Sequence, residues 1–216
     1  KLIISVGISL FGMVPFGWRF MGTLFGVLML PILYIFLKNM FGKTVIAACG
    51  TILFAFDFMH YVQTRIATID TYGVFFILLT YFFMYRYITQ DIDAPFKKQM
   101  APLALSGLFF GIGCASKWIV IYAGIGLLAL YVLHLIWAYK VYEENETPGY
   151  KRYLFKTLAL SLIFFIAVPA VIYCLSYIQN GRIAGMRLKD GMLWDPAYYK
   201  MIWDNQTFMF GYHSGL

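Results

Sequence analysis

Tyr61-Val62-Gln63-Thr64-Arg65-Ile66-Ala67-Thr68-Ile69-Asp70-Thr71 lies between two almost wholly apolar runs, Val45 to Phe56 and Tyr72 to Tyr85. Asp57, His60, Gln63, Arg65 and Asp70 gather within the 14 positions from Asp57 to Asp70. Polar groups this dense between apolar runs form either a connecting turn at a membrane surface or one wall of a site. Burying an ionisable group in a bilayer costs roughly 2.5–3.5 kcal/mol on insertion scales, so each one beside a span is a functional candidate. The plainer reading is that Thr68 or Asp70 caps the next helix and Arg65 reaches up to the interface.

The rest of the chain makes that membrane concrete. Of its 216 residues 62% are hydrophobic and 12% charged, about half the charge of a soluble domain. This predicts an all-α, polytopic transmembrane helical protein. The net charge of +7 is no nucleic-acid signature, because the basic residues sit in short loops beside apolar spans. Cys49, Cys114 and Cys174 lie in separate apolar runs with no metal or redox spacing, and read as small apolar side chains. A chain that opens on Lys1 and stops at Leu216 reads as a fragment of a longer protein.

About six spans follow from the apolar runs: residues 19–37, 44–59, 70–88, 101–116, 118–139 and 154–178, one transmembrane domain over 1–178. Residues 1–12 are too short to cross a bilayer and can lie flat at the interface. Gly22 and Gly26 form a small-xxx-small face for close helix contact, and Pro31 and Pro169 are expected kinks. Residues 179–216 are too polar to span. There Asp195-Pro196 starts a helix, with Tyr199, Ile202, Trp203, Gln206 and Phe210 at helical spacing, read as an interfacial helix in an outer loop.

Basic residues orient the spans. Lys38 and Lys43, then Arg86, Lys97 and Lys98, then Lys140, Lys151, Arg152 and Lys156 mark three loops as cytoplasmic. The intervening loops hold only Arg65 and Lys117. Arg19, Arg65, Asp70, Lys117 and the tail are therefore expected outside, and His134 near the cytoplasmic end of its span.

Four motifs, in this order and spacing, resemble one family. Trp18-Arg19-Phe20-Met21-Gly22 opens a span, and Gln63-Thr64-Arg65-Ile66-Ala67-Thr68-Ile69-Asp70 joins two. Gly111-Ile112-Gly113-Cys114-Ala115-Ser116-Lys117-Trp118 turns between two more, and Tyr212-His213-Ser214-Gly215-Leu216 ends the outer loop. Together they are similar to protein O-mannosyltransferases of the GT-C membrane glycosyltransferase class. The resemblance implies a polyprenyl-phosphate-mannose donor, a Ser or Thr hydroxyl of an acceptor protein, transfer on the outer side of the membrane, and inversion of the sugar. It implies no cofactor, the lipid-linked sugar being a substrate. The family's Asp-Glu pair, whose acidic residue serves as base, falls in an outer loop that would precede Lys1. The short run after Ile178 leaves no room for the large lumenal insert of eukaryotic members. The expected type is thus bacterial and the expected location the plasma membrane, or the endoplasmic reticulum membrane for a eukaryotic member.

Glycosyl transfer from a lipid phosphate needs a carboxylate to take the attacking hydroxyl's proton and fixed cations to hold the departing phosphate. Arg19, matched to the family's arginine at this span start, and Lys117 are the candidate phosphate ligands; each can otherwise simply anchor its helix end. Asp70 and Arg65 are supporting catalytic candidates, with Asp70 orienting Arg65 or Lys117. Asp57, one turn from the end of its span and harder to dismiss as a cap, is a candidate substrate ligand with His60 or Arg65 as partner. His213 is another, against a plain packing role. A transporter and a non-catalytic assembly subunit remain the competing readings. The transporter is disfavoured because the polar groups cluster on one face rather than at mid-membrane.

Overall fold

A computed structural model describes residues 2–91, 94–145 and 148–214, with side chains through Tyr212. The described residues divide into two compact units, Lys1–Pro169 and Ala170–Leu216.

The first unit is a helical bundle. It contains α1 (Leu2–Phe11), α2 (Pro15–Phe41), α3 (Thr44–Ala55), α4 (Phe58–Gln63), α5 (Asp70–Ile88), α6 (Phe96–Ser116), α7 (Val120–Glu144) and α8 (Tyr150–Leu162). A π-helical turn, Ile163–Ala167, leads from α8 into α9 (Val168–Ser176). Pro169 explains that turn: it has no N–H to return to the preceding turn, and the wider ring absorbs the mismatch. Among the described residues five helical stretches are long and apolar enough to cross a membrane: Pro15–Phe41, Asp70–Ile88, Phe96–Ser116, Val120–Glu144 and Tyr150–Ile183. The chain is thus an all-α polytopic membrane protein.

Helix α5 is the centre of the bundle and touches α2, α6 and α7. Its upper part joins Met29 in a cluster of Tyr72, Phe75 and Phe76; its lower part joins Met84 and Tyr87 to Met100, Leu103, Leu127, Tyr131 and Leu135. Without a hydrophobic drive between helices in lipid, close approach and hydrogen bonds hold the bundle. Ser106 Oγ donates to Thr80 O at 2.9 Å between α6 and α5. On α7, Ile121, Ile125, Leu128, Val132 and Ile136 face outward at helical spacing, as lipid-facing side chains do.

Two expectations need correction. Leu2–Phe11 does not lie flat but folds back along α2: Gly7 meets Gly17 and Met21, and Ile3 and Ile4 reach the Met29–Tyr72 cluster. The span expected over 44–59 is broken. α3 has 12 residues, ~18 Å of helix against the ~30 Å hydrocarbon core. It ends at Ala55, and α4 restarts at Phe58. Between α2 and α3, Gly42 closes the turn at φ 67°, a left-handed conformation, donating its N–H to Lys38 O. The other spans shift at their ends: Arg19 lies one turn inside α2, and Lys97 and Lys98 sit in the first turn of α6 rather than in a loop.

The second unit holds α10 (Ile178–Ile183), two short 3₁₀ turns (Leu188–Asp190, Met192–Trp194) and α11 (Pro196–Ser214). Asp195 Oδ1 accepts from Ala197 N at 2.9 Å, so the expected helix start holds. Tyr198 and Ile202 pack against Tyr177 and Met192, while Trp203 and Phe210 point outward.

Candidate active site

The turn from Tyr61 to Thr71 seats on two glycines. A Cβ on Gly22 would meet Thr64 O at 3.2 Å, and one on Gly26 would stand 2.3 Å from Thr64 Cγ2. The small-xxx-small face is therefore real, and what it receives is this turn rather than a straight helix. Thr23 Oγ1 adds a hydrogen bond to Thr64 O at 3.2 Å, and Thr64 Oγ1 donates to His60 O at 2.9 Å. Gly22 is 20 residues from Gly42 along α2, ~30 Å of helix. The broken α3–α4 segment thus retraces a full membrane thickness, returning Arg65 to the Arg19 end of α2.

There Pro15, Phe16, Arg19, Thr23, Tyr61, Val62, Arg65 and Ile66 line an open cleft of about 630 Å³. Arg65 donates from Nη1 to the Tyr61 hydroxyl, and its guanidinium carbon lies 4.8 Å from that ring's centre, a cation–π contact. The Arg19 guanidinium has no hydrogen-bond or ion-pair partner among the described residues. Two guanidiniums thus share a cleft with no carboxylate among its lining residues, which is the electrostatics of an anion site.

Lys117 and Asp70 form an ion pair instead of lining this cleft. Asp70 is the first residue of α5, and Lys117 follows α6. The two helix ends meet at Gly73, where an added Cβ would stand in ordinary contact, 3.6 Å, with the Lys117 Cβ. The side chains are 29% and 44% exposed, so the pair is solvent-screened and adds about 0–1 kcal/mol of stability. Neither Asp70 nor Thr68 caps α5. Thr68 Oγ1 turns to Gln63 Oε1 at 3.3 Å, and Thr71 Oγ1 to Gln63 O at 3.0 Å.

Asp57 corrects another expectation. It is the N-cap of α4, its Oδ2 accepting from His60 N at 2.8 Å. His134 is buried at the far end of the bundle, 3.2 Å from the Tyr153 hydroxyl. The His213 side chain lies outside the described residues. Sequence reasoning gave no role to Tyr61 or Thr23. Each stands four residues before or after an arginine of the cleft, the spacing at which helical side chains meet, and that was the available signal.

The architecture and the cleft define the class: a polytopic helical membrane protein with a cationic cleft assembled between helix ends. The family described as dolichyl-phosphate-mannose-protein mannosyltransferase matches residues 3–179, and the chain belongs to it. A polyprenol-phosphate-mannose–protein mannosyltransferase of Mycobacterium tuberculosis (strain ATCC 25618 / H37Rv) is 22% identical over 258 residues, covering 100% of this chain and 46% of the relative. That of Corynebacterium glutamicum is 26% identical over 200 residues, covering 82% and 37%. That of Mycolicibacterium smegmatis (strain ATCC 700084 / mc(2)155) is 22% identical over 245 residues, covering 100% and 46%. The chain spans less than half the length of these curated relatives. No solved structure matches it.

Proposed function

We propose that this chain forms part of a bacterial plasma-membrane enzyme that moves mannose from a polyprenyl-phosphate-linked donor to Ser or Thr hydroxyls of proteins on the outer side of the membrane. The observation that carries the reading is the pair of guanidiniums, Arg19 and Arg65, in one carboxylate-free cleft of a chain in this family. In the reaction the acceptor oxygen bonds to the sugar's anomeric carbon as the bond from that carbon to the phosphate oxygen breaks. The hydroxyl proton goes to a carboxylate, which the family resemblance assigns to a segment before Lys1. The electron pair leaves with the phosphate. Arg19 and Arg65 hold that charge, because fixed donors aimed at developing charge stabilise a transition state more than a ground state. Tyr61 keeps the Arg65 guanidinium on the cleft side of α4. Lys117 and Asp70 fix the α5–α6 ends behind the turn, and Lys117 serves the phosphate if the pair opens. The reading calls for no resident cofactor.

The test is transfer of labelled mannose to an acceptor peptide by the full-length protein. Arg19→Ala should slow transfer roughly 10²–10³-fold, as loss of one oxyanion-type donor does. Arg19→Lys should restore only part, since a point charge cannot make a planar two-toothed contact to phosphate. Thermal unfolding should change little, because the side chain is exposed. Near-normal transfer by Arg19→Ala would reduce this arginine to a helix anchor.

A further inference from the structure

A second cationic cavity lies within the other unit and is lined by no residue given a role above. Arg182, Gly185, Met186, Arg187, Leu188 and Lys189 line a space of about 660 Å³. Residues 182–190 carry three cations against one carboxylate, Asp190. Among the described residues none of the three cations has a carboxylate partner; the ion pair there is Lys117–Asp70. The loop that carries them is closed by its own backbone. Met186 N donates to Gly181 O at 2.9 Å, and Asp190 N and Met192 N both donate to Arg187 O, at 3.1 and 3.4 Å. The cations are therefore held on a hydrogen-bonded loop, not on a loose tail.

Position along the chain says what such a cavity meets. The apolar helical stretch Tyr150–Ile183 is long enough to cross a membrane, and it ends inside this segment. The loop thus leaves the helix where lipid headgroups lie. Ile183 is 79% and Trp194 88% exposed, and Leu188 stands in the cavity wall. Exposed Trp and aliphatic side chains beside unpaired cations match the boundary between acyl chains and headgroups. A soluble anion would need no such apolar flank.

We infer that this cavity binds the phosphate headgroup of a membrane lipid. The inference is independent of the role given to the Arg19–Arg65 cleft, and its test does not read mannose transfer. Two lipids share the chemistry: a bulk anionic phospholipid and the isoprenoid phosphate itself. Lipid retained by the purified full-length protein is read by native mass spectrometry, with phosphatidylglycerol, phosphatidylcholine, polyprenyl phosphate and inorganic phosphate offered separately. One cation near a membrane surface is worth roughly a fivefold change in binding. Arg182→Gln, Arg187→Gln and Lys189→Gln together should weaken binding of an anionic lipid roughly a hundredfold, with phosphatidylcholine unaffected. Each single substitution is carried alongside, so the result does not depend on the triple variant folding, and thermal unfolding is recorded for all. Selective loss of phosphatidylglycerol identifies bulk lipid as the occupant, and selective loss of polyprenyl phosphate identifies the isoprenoid. Displacement of either by inorganic phosphate shows the phosphate as the recognised group. Undiminished binding of both anionic lipids in folded variants overturns the inference. So does a parent protein that retains phosphatidylcholine equally well.

Discussion

Gly26→Ala tests whether the seat of the 61–71 turn controls the cleft. The added methyl would stand 2.3 Å from Thr64 Cγ2 and 2.7 Å from Thr64 Cβ, closer than side-chain carbons pack. Thr64 cannot swing aside freely. It is buried, its hydroxyl donates to His60 O, and its carbonyl accepts from Thr23. The backbone of α2 or of the turn must therefore move, and overpacking of this kind costs about 1–3 kcal/mol. For a chain this size that is a fall in Tm of about 2–4 °C per kcal/mol. Because Arg65 follows Thr64 directly, transfer should fall further than stability does. Thr64→Ser removes the methyl at 2.3 Å while keeping the hydroxyl, so in the Gly26→Ala background it should recover part of both losses. The assay is thermal unfolding in detergent for the four members of the cycle, with mannose transfer beside it. A coupling of about 0.5 kcal/mol or more is expected for residues in contact. If the two substitutions add within about 0.3 kcal/mol, Gly26 does not seat Thr64 and the account of the turn is wrong.

Three further outcomes are expected. Asp57→Ala should destabilise by about 0.5–2 kcal/mol through loss of the α4 cap, whereas Asp57→Asn, which caps as well, should keep both stability and transfer; lost transfer at unchanged stability in Asp57→Asn would instead assign the carboxylate to substrate. Tyr61→Phe keeps the ring under Arg65 and should cost transfer less than Tyr61→Ala, and equal losses in kcat/KM would show that the ring contact is idle. Asp70→Asn should lower stability by no more than about 1 kcal/mol, since the pair is part-exposed and screened, and a larger loss in thermal unfolding would mean that the pair is buried in the membrane-embedded protein.

Hydropathy made the long apolar helices readable, though not the break after Ala55, because lipid demands apolar helices with their backbone bonds made internally. The small-xxx-small spacing at Gly22 and Gly26 was equally plain in the sequence, but a spacing names a groove and not its occupant. That Thr64 fills it follows only from where α3 stops. Asp57 looked hard to dismiss as a cap because its span reads as continuing to residue 59, which hides the new helix start at Phe58. The packing of Tyr198 was hidden for a related reason. Tyr198 is buried by Tyr177 and Met192, which come from other helices and leave no mark on the periodicity of 196–214. The partner of Asp70 was left open between Arg65 and Lys117, since charge alone does not choose. The packing of α6 on α5 chooses, by bringing Lys117 to the first residue of α5.

The break in the second span is what makes one cleft from two distant arginines. A straight helix continued from Thr44 through residue 65 would be ~33 Å long and would fix the side of Arg65 by helical phase alone. Restarting at Phe58 frees that phase from α3, so α4 can set Tyr61, Val62 and Arg65 against Pro15, Arg19 and Thr23. The missing backbone bonds at the break are met locally: Asp57 takes the His60 N–H, and Phe56 N returns to Ile52 O at 3.0 Å. Gly26 then stops the restarted segment from sliding, because only a residue without a Cβ lets Thr64 come that close. The polar density between Asp57 and Asp70 is thus divided by function. Asp57, Thr64, Thr68 and Thr71 hold the backbone of the turn, Asp70 is paired with Lys117, and Arg65 is left facing Arg19 across a cleft that lacks a counter-charge.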